Sequence, residues 1–431
     1  MIGIITRIKY TPLGKEYTVT DGGNEKKIES NESISHGIVV KIEEGRVTKL
    51  AESEIDQAYK EIEKRAAKSI VTAEEPSLVN NPMIQKLWPK IKEAAGKIMA
   101  AKKLGRSILL RFHGDADGIS GAIAISSIVN CKAFQQNSAI YSVKDALRDL
   151  SFIGQENRPL MIFLDFGSTS KEGLNILKAG GIEYMIIDHH PIGEIGGWIL
   201  NPFSGITDTK ENPSRYTAGY LGCEIAAACG MNTDKALWLA RIACSGDKSD
   251  LIANDEEDGK KALVLDFLAS HVSFGNNLDF YKKVMDNEEL FFSIAHQAEE
   301  GIGEASAKAI ARIKKSNGEN CEIVCFSLEG IARKDEWPPS GKITTRVFDK
   351  LNGSEPLICI GYNERSIIMR LNNEAVGKGF GANMIAEKMK NTMPDFVESG
   401  GGHAHAGAIR VREGFVKEVL GELVRSLGGN F

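Results

Sequence analysis

The sequence predicts an α/β protein with four parts: a doubly wound parallel-sheet domain, a smaller α/β domain after it, a small N-terminal β module, and helical linkers. Three apolar runs, SILLRF, LMIFL and YMII, are the first observation, and helical patterns such as GISGAIAISSIV and SKEGLNILKAG lie between them. Strands that are buried on both faces of a parallel sheet have this continuous apolar character. The second observation is the length of 431 residues, which exceeds the usual size of one hydrophobic core, so several domains are expected.

The N-terminal segment alternates apolar and polar residues in short runs such as IGIITRI, EYTVT and GIVVKI. This alternation predicts a small antiparallel β module. From Ser53 the pattern becomes helical, breaks at TAEEPSLVNNP, and resumes as an amphipathic helix from Met83 to Leu104. The predicted segments are an N-terminal β module at 1–52, a helical connector at 53–105, the parallel-sheet domain at 106–275, a helical linker at 276–320, and a smaller α/β domain at 321–431.

The composition indicates a cytoplasmic protein that does not cross a membrane. The chain has no run of eighteen apolar residues, and it begins directly with a β-like alternation rather than a signal peptide. Its seven cysteines are scattered without a CxxC pair, which favours reduced core residues. The net charge of −5 excludes attraction of nucleic acid by the overall charge, so such binding needs a local basic groove or bound cations.

Acidic residues and histidines follow three predicted strands and one predicted helix. Ligands gather at the carboxyl ends of parallel strands, so these side chains are expected to converge. Carboxylates mixed with imidazoles suit two divalent cations, and the imidazoles favour Mn²⁺ over Mg²⁺. The predicted metal ligands are His113, Asp115, Asp117, Asp165, His189 and Asp247, with Asp250 left open as an alternative to Asp247.

Each motif also has a purely structural interpretation. HGDADG could be a capped loop, Asp188-His189-His190 a surface turn, and Asp165 a helix N-cap. The positions of all these motifs at the ends of elements favour the metal site. In this hypothesis Asp165, Asp188 and His190 are the catalytic residues: Asp165 bridges the two cations, Asp188 orients an imidazole, and His190 faces the substrate phosphate.

The motifs resemble those of the DHH phosphoesterases, and within them the RecJ-like nucleases, of archaeal type, that carry a second, DHH-associated domain. The resemblance runs from about 107 to 410 and rests on HGDADG, LDFG, DHH, the Gly246-Asp247 pair, and ESGGGHAHAGA at 398–408. It implies a two-lobed enzyme that holds Mn²⁺ or Mg²⁺ in its catalytic lobe and closes a second lobe over the end of a nucleic-acid strand. Residues 1–105 match no part of the family core, and the sequence assigns them no role.

The glycine-rich stretch of the second lobe is predicted to bind substrate. Backbone N–H groups of a loop at Gly400, Gly401 and Gly402 are expected to reach a phosphate, with His403 as a further donor. Arg370 is expected to contact phosphate as well. A strand end in solvent is the alternative interpretation of Arg370.

The leading functional prediction is a metal-dependent exonuclease that hydrolyses single-stranded DNA or RNA by a two-metal mechanism, in replication, repair or RNA turnover. One alternative is a phosphoesterase for small substrates, namely oligoribonucleotides, cyclic dinucleotides or phosphoadenosine phosphate. Another is a non-catalytic replication scaffold, which the intact motifs disfavour. The expected partners are single-stranded DNA or RNA and, by the resemblance alone, a helicase or replication factor.

Overall fold

The computed structural model describes residues 1–12, 14–68, 73–138, 140–204, 211–271, 278–333 and 336–430. The chain divides into two compact units, Met1–Asn287 and Glu288–Phe431. The described part contains three sheets, one antiparallel, one parallel and one mixed, and helices pack around them. The predicted α/β class is therefore confirmed. None of the described helices is both long enough and apolar enough to cross a membrane.

The N-terminal β module is a five-stranded antiparallel sheet. Its order is β3-β2-β1-β4-β5, and β3 also contacts β5, so the sheet curls into a barrel. Apolar side chains on its inner face, including Ile5, Tyr17, Val19 and Val40, form its core. The strands are β1 (Ile2–Thr11), β2 (Gly14–Thr20), β3 (Glu25–Ser30), β4 (Val39–Glu43) and β5 (Arg46–Lys49).

Two helices follow the barrel, α1 (Glu52–Lys68) and α2 (Pro82–Lys103). The apolar stripe of α1, which includes Tyr59 and Ile62, packs with Ile4 of the barrel. The helix α2 begins where Asn81 caps it, and its first residue is a proline, which needs no hydrogen-bond acceptor at that position.

The parallel sheet has the order β10-β9-β8-β6-β7. Because β6 pairs with β7 on one side and with β8 on the other, the strand order reverses direction beside β6, and side chains from both flanking loops meet there. The strands are β6 (Ile108–His113), β7 (Lys132–Gln136), β8 (Leu160–Leu164), β9 (Glu183–Ile187) and β10 (Trp198–Leu200). The helices of this region are α3 (Ala116–Ile128), α4 (Val143–Ile153), α5 (Lys171–Ala179), α6 (Ala218–Ala228), α7 (Thr233–Gly246), α8 (Glu256–Ser270) and α9 (Leu278–Asp286), and short 3-10 turns lie at Pro202–Ser204 and Pro213–Arg215.

The second unit contains a six-stranded mixed sheet of order β11-β12-β13-β14-β16-β15. Helices α13 and α14 contribute to a core on one face, and α10 and α11 to a core on the other. The helices are α10 (Glu288–Ile310), α11 (Ser340–Leu351), α12 (Asn373–Gly377), α13 (Ala382–Thr392) and α14 (Val416–Ser426). The strands are β11 (Lys314–Asn317), β12 (Glu322–Ser327), β13 (Leu357–Tyr362), β14 (Ser366–Leu371), β15 (Val397–Gly402) and β16 (Ala406–Val411).

One part of the predicted helical linker at 276–320 is not helical. Lys314–Asn317 forms the edge strand β11, which pairs with β12 in an antiparallel register. This strand has the sequence KKSN, which carries no apolar alternation. Backbone hydrogen bonds to the neighbouring strand β12 fix its conformation, and the local sequence pattern does not predict such bonds.

Candidate metal centre

The loops that follow β6, β8 and β9 bring most of the predicted ligands to one edge of the parallel sheet. His113 is the last residue of β6, Asp165 directly follows β8, and Asp188 directly follows β9. Asp247 comes from elsewhere, at the C-terminal end of α7. Strand ends therefore position part of the cluster, and packing among helices positions the rest.

A first ligand group consists of His113, Asp115 and Asp165. The Nδ1 atom of His113 lies 2.6 Å from Oδ2 of Asp115 and 3.4 Å from Oδ2 of Asp165. The other oxygen of Asp115, Oδ1, accepts a hydrogen bond from the N–H of Gly118 at 3.0 Å and caps α3. The capping and metal-ligand interpretations of Asp115 are thus compatible, because each uses a different oxygen.

A second ligand group consists of Asp117, His189 and Asp247. The Nε2 atom of His189 lies 3.1 Å from Oδ2 of Asp247 and 3.9 Å from Oδ2 of Asp117. The N–H groups of Ala218 and Gly219, at the start of α6, each donate to the Asp117 carboxylate at 2.9 Å. A helix N-terminus stabilises negative charge, so α6 favours the ionised form of this buried carboxylate.

The hydrogen bond at Nδ1 of His189 determines the protonation of its Nε2 atom, which faces the carboxylates. Nδ1 lies 2.8 Å from the carbonyl oxygen of Ser214, which only accepts, so Nδ1 carries a proton. In the neutral ring, the Nε2 lone pair then points at carboxylate oxygens of Asp117, Asp165 and Asp247. This arrangement is repulsive unless the ring is protonated or a cation lies between these atoms, and a divalent cation satisfies all four groups at once.

Asp165 lies between the two ligand groups. Its Oδ2 faces His113, whereas its Oδ1 lies 3.4 Å from Nε2 of His189 and 3.8 Å from Nδ1 of His190. Oδ1 is buried and has no hydrogen-bond partner among the described residues. The backbone of Asp165 is in the left-handed region, with φ of +67°, a conformation that is uncommon outside glycine and often stored at functional sites.

The Asp188 carboxylate serves as an anchor within the protein. Its Oδ2 accepts from the N–H of Ser168, and its Oδ1 accepts from the N–H groups of His189 and His190 and from Nδ1 of His190 at 2.8 Å. Burial alone would raise the pKa of Asp188, but these hydrogen bonds and the histidine charges hold it below its usual value. The ring of His190, which Asp188 orients, is 43% exposed.

Burial and mutual repulsion raise the pKa values of two carboxyl groups in the cluster. Burial is the largest cause at Asp117, and the charges of Asp165 and Asp247 add to it. Burial also raises the pKa of Asp165, together with the charge of Asp115. Cations bound among these oxygens would reverse both effects, which is the behaviour expected of a centre built for positive charge. The donor set of hard oxygens and imidazoles fits Mn²⁺ or Mg²⁺.

The comparison with protein families decides the identity of this region. Residues 107–246 match the family model described as DHH family, N-terminal domain. This segment is a DHH-family domain. Members of the DHH family are phosphoesterases. The match ends at Gly246, one residue before Asp247.

One curated protein is similar to this chain in sequence, and solved structures are similar to it in fold. An uncharacterized protein of Methanocaldococcus jannaschii is 26% identical over an alignment of 515 positions, which covers 98% of this chain and 67% of that protein. A solved DHH-domain structure, described as a member of the s1p family of ribosomal proteins, has a TM-score of 0.75 at 24% identity and covers 88% of this chain and 100% of its own. RecJ from Thermus thermophilus, solved in complex with Mn²⁺, has a TM-score of 0.54 at 15% identity and covers 84% of this chain and 57% of its own.

Of the two carboxylates at the end of the DHH domain, only Asp247 lies with the other ligands. Asp250 has an 83% exposed side chain, and its Oδ1 lies 3.1 Å from Nε of Arg215. It belongs to none of the groups with metal-ligand spacing among the described residues. The geometry therefore supports Asp247, which the sequence preferred.

Three features of the first unit hold the candidate ligands in place, and the sequence did not indicate any of them. The Asp266 side chain on α8 accepts the N–H of Ala116, between Asp115 and Asp117, at 2.8 Å. The Ser214 carbonyl fixes His189, and the first turn of α6 fixes Asp117. Asp266 lies in the run ALVLDF, where an acidic residue among apolar ones was the only available signal.

The predicted substrate-binding residues of the second unit lie near one end of its sheet. The expectation of a glycine loop is wrong: Gly400, Gly401 and Gly402 belong to strand β15 and pair with β16. The turn after them contains His403, whose N–H donates to the carbonyl oxygen of Ala406 at 2.7 Å. The small residues of this hairpin allow helix α13 to pack close to it. A Cβ added at Gly400 would lie 3.4 Å from the Cβ of Ala386, and one added at Gly407 would lie 2.9 Å from the Cβ of Ala382.

The Arg370 side chain is not free in solvent, as the alternative interpretation of a solvated strand end would require. Its Nε donates to Oγ1 of Thr345 at 2.9 Å, and its Nη1 donates to the carbonyl oxygen of Met369 at 2.9 Å. Burial lowers its pKa from the usual value. It pairs across the sheet with Ala406, which follows the His403 turn, so Arg370 and the glycine–histidine segment are neighbours.

Proposed function

We propose that the chain is a metal-dependent exonuclease that hydrolyses phosphodiester bonds of single-stranded DNA or RNA with two divalent cations, Mn²⁺ preferred over Mg²⁺. The observation that carries the proposal is the position of Asp165, whose carboxylate directs one oxygen toward each of two ligand groups. A carboxylate shared in this way is what a two-cation centre requires. The fold shared with a RecJ that was solved with Mn²⁺ is consistent with this proposal.

The predicted ligands would hold the two cations in the following way. Asp165 would bridge the cations, His113 and Asp115 would complete the first group, and Asp117, His189 and Asp247 would complete the second. Bound there, the cations would supply Lewis acidity, which favours ionisation of water near neutral pH and neutralises charge on the phosphate.

Hydrolysis forms one bond from a water oxygen to phosphorus and breaks the bond from phosphorus to the departing nucleoside oxygen, which takes up a proton. Burial alone would lower the pKa of His190, but the Asp188 carboxylate raises it and favours the imidazolium form. In that form the exposed ring would donate from Nδ1 to Asp188 and from Nε2 to a phosphate oxygen. The chain's own contribution is thus to fix this donor beside the ligand cluster.

In the second unit, Gly400, Gly401, Gly402, His403 and Arg370 would bind the phosphates of the strand. β15 is at the edge of its sheet, so some of its N–H groups face away from the pairing strand and can donate to an anion. Arg370 would contribute Nη2, because the two hydrogen bonds described above use its Nε and Nη1. We further propose a cytoplasmic location and a helicase or replication factor as partner, neither of which a particular residue specifies.

The deciding experiment is digestion of single-stranded DNA and RNA oligonucleotides labelled at either end, with Mn²⁺, Mg²⁺ or EDTA, beside a dinucleotide. A ladder that shortens from one end, requires the cation and disappears in Asp165→Ala would support the exonuclease. Circular dichroism of the variant checks that it folds.

Two other results would replace the proposal. Cleavage of the dinucleotide without shortening of long strands would indicate a phosphoesterase for small substrates. Absence of all hydrolysis by the folded wild-type protein would indicate a non-catalytic scaffold.

A further inference from the structure

The N-terminal β module has the strand connectivity of an oligonucleotide-binding barrel. Its sheet order β3-β2-β1-β4-β5, together with the contact between β3 and β5, closes into the cycle β1-β2-β3-β5-β4-β1. The four neighbouring pairs of the sheet, β3–β2, β2–β1, β1–β4 and β4–β5, are all antiparallel. This is the five-stranded topology of the OB fold, which binds single strands on the face of strands 2 and 3 and on the loops beside it.

Among the described residues, α1 packs against β1 and β4 on one part of the outer surface of this barrel. On the side of β1, β2 and β3 that we call the open face, Arg7 and Lys27 are exposed. Ile4 and Val39 pack under α1. Farther along β1 the register places Arg7, Thr18 and Lys27 side by side on adjacent strands. Arg7 and Lys27 are exposed, whereas Thr18 between them is buried, so two cations flank a small polar side chain.

An exposed aromatic ring lies at the end of β1, at the hairpin between β1 and β2. Tyr10 is 76% exposed. The ammonium group of Lys15 lies 5.5 Å from the centroid of that ring. An exposed ring with a cation against it is a platform on which a base can stack while its phosphate is neutralised.

The barrel does not share the negative charge balance of the whole chain. Residues 1–50 contain eight Lys and Arg against seven Asp and Glu, whereas the whole chain has 53 against 58. The basic row is narrow, because the next row across the strands combines Lys9 with Glu16 and Glu29. A narrow basic row matches one phosphate backbone better than a duplex or an acidic protein surface.

We propose that the N-terminal barrel binds single-stranded nucleic acid without sequence preference, through Arg7 and Lys27 on its open face and Tyr10 at its hairpin. Its role as a substrate-holding module rests on the proposed nuclease function, but the binding itself requires neither cations nor hydrolysis.

The test measures the anisotropy of fluorescein-labelled oligo-dT and oligo-rU of about 20 nucleotides, enough to fill one OB site. The full-length protein is used in EDTA, and salt is varied. The double variant Arg7→Ala/Lys27→Ala should bind at least about tenfold more weakly at low salt, and the slope of log K against log salt should shrink by about 1.4. Tyr10→Ala should weaken binding about fivefold or more with the slope unchanged. The matched control is Lys60→Ala/Lys64→Ala, which removes two exposed charges from α1.

Three results would overturn the inference: unchanged binding by both barrel variants, an equal loss of binding in the control, or no binding by the wild-type protein. The open face would then be a candidate surface for a protein partner. Mn²⁺-dependent hydrolysis of a dinucleotide by the same proteins separates this inference from the proposed function. The barrel variants should retain it and Asp165→Ala should lose it. Hydrolysis by Asp165→Ala would refute the assigned metal centre and leave the binding result standing.

Discussion

The candidate metal centre and the glycine-rich strand of the second unit were both predicted from short motifs. The candidate ligands His113 and Asp165 lie at strand ends as expected, whereas the glycines, expected in a loop, lie in a strand. The metal motifs follow parallel strands, and the carboxyl ends of such strands meet at one edge wherever the sheet forms. The glycines at 400–402 carry no comparable constraint. Glycine permits a loop, and it equally permits a strand against which a helix packs closely. A motif is thus informative about geometry when the topology around it leaves few alternatives.

After the complete loss expected for Asp165→Ala, the largest effect is expected at Asp117, where the metal-ligand interpretation competes with a structural one. Asp117→Asn removes a negative charge and places an NH₂ group against the N–H of Ala218 or Gly219, which cannot accept it. We expect hydrolysis in Mn²⁺ to fall about 10²- to 10³-fold. The matched control is Asp250→Asn, whose exposed carboxylate should be dispensable. Equal activities of the two variants would show that Asp117 only caps α6.

The next effect is expected at Asp188, which holds His190 rather than a cation. Asp188→Asn should lower kcat about 10- to 100-fold, the range for residues that orient a catalytic group. His190→Ala should lower kcat by a similar factor, and the double variant should add little, because both act through one ring. Calorimetric titration with Mn²⁺ tests the assignment, since affinity for the cation should change less than turnover. A large loss of Mn²⁺ affinity would instead make Asp188 part of the metal site.

The sequence predicts the residues of this centre that follow strands, but not the hydrogen bonds that hold them from distant parts of the chain. Residues placed by the strand they follow, such as Asp165 and Asp188, were identified because an apolar strand and its first polar residue are visible locally. The hydrogen bond from Ala218 to Asp117 joins residues 101 positions apart, and the bond from Ala116 to Asp266 joins residues 150 apart. No periodicity encodes such pairs, because they depend on how helices pack on the finished sheet.

A moderate effect is expected at Asp266, which the sequence did not indicate. Asp266→Ala leaves the N–H of Ala116 without this acceptor, and the start of α3, which carries Asp115 and Asp117, should shift. We expect about a tenfold loss of kcat with little change of KM, since small displacements of catalytic groups cost rate. The matched control lies at the start of the same helix. Asp255 caps α8, so Asp255→Ala should lower the free energy of unfolding and leave kcat unchanged. A loss of stability without a loss of rate in Asp266→Ala would make its role purely structural.

The smallest effects are expected in the glycine-rich hairpin, and they test whether its glycines serve packing or binding. A Cβ added at Gly407 would meet the Cβ of Ala382 at 2.9 Å, whereas a Cβ at Gly401 would meet no other atom within 4 Å. Gly407→Ala should therefore lower the free energy of unfolding by about 1–3 kcal/mol. Gly401→Ala should leave stability unchanged within about 0.5 kcal/mol. Chemical denaturation of both proteins measures this difference.

Kinetics of the stable variant then decide the role of the strand. If the backbone of β15 binds phosphate, the methyl group of Gly401→Ala should obstruct the approach and raise KM for long strands a few-fold, while leaving a dinucleotide unaffected. Unchanged KM for both substrates would assign the glycines to close packing with α13 alone. The phosphate contact of the second unit would then have to come from Arg370 or His403, and Arg370→Lys, which retains the charge but loses the fork of donors, would be the variant to compare.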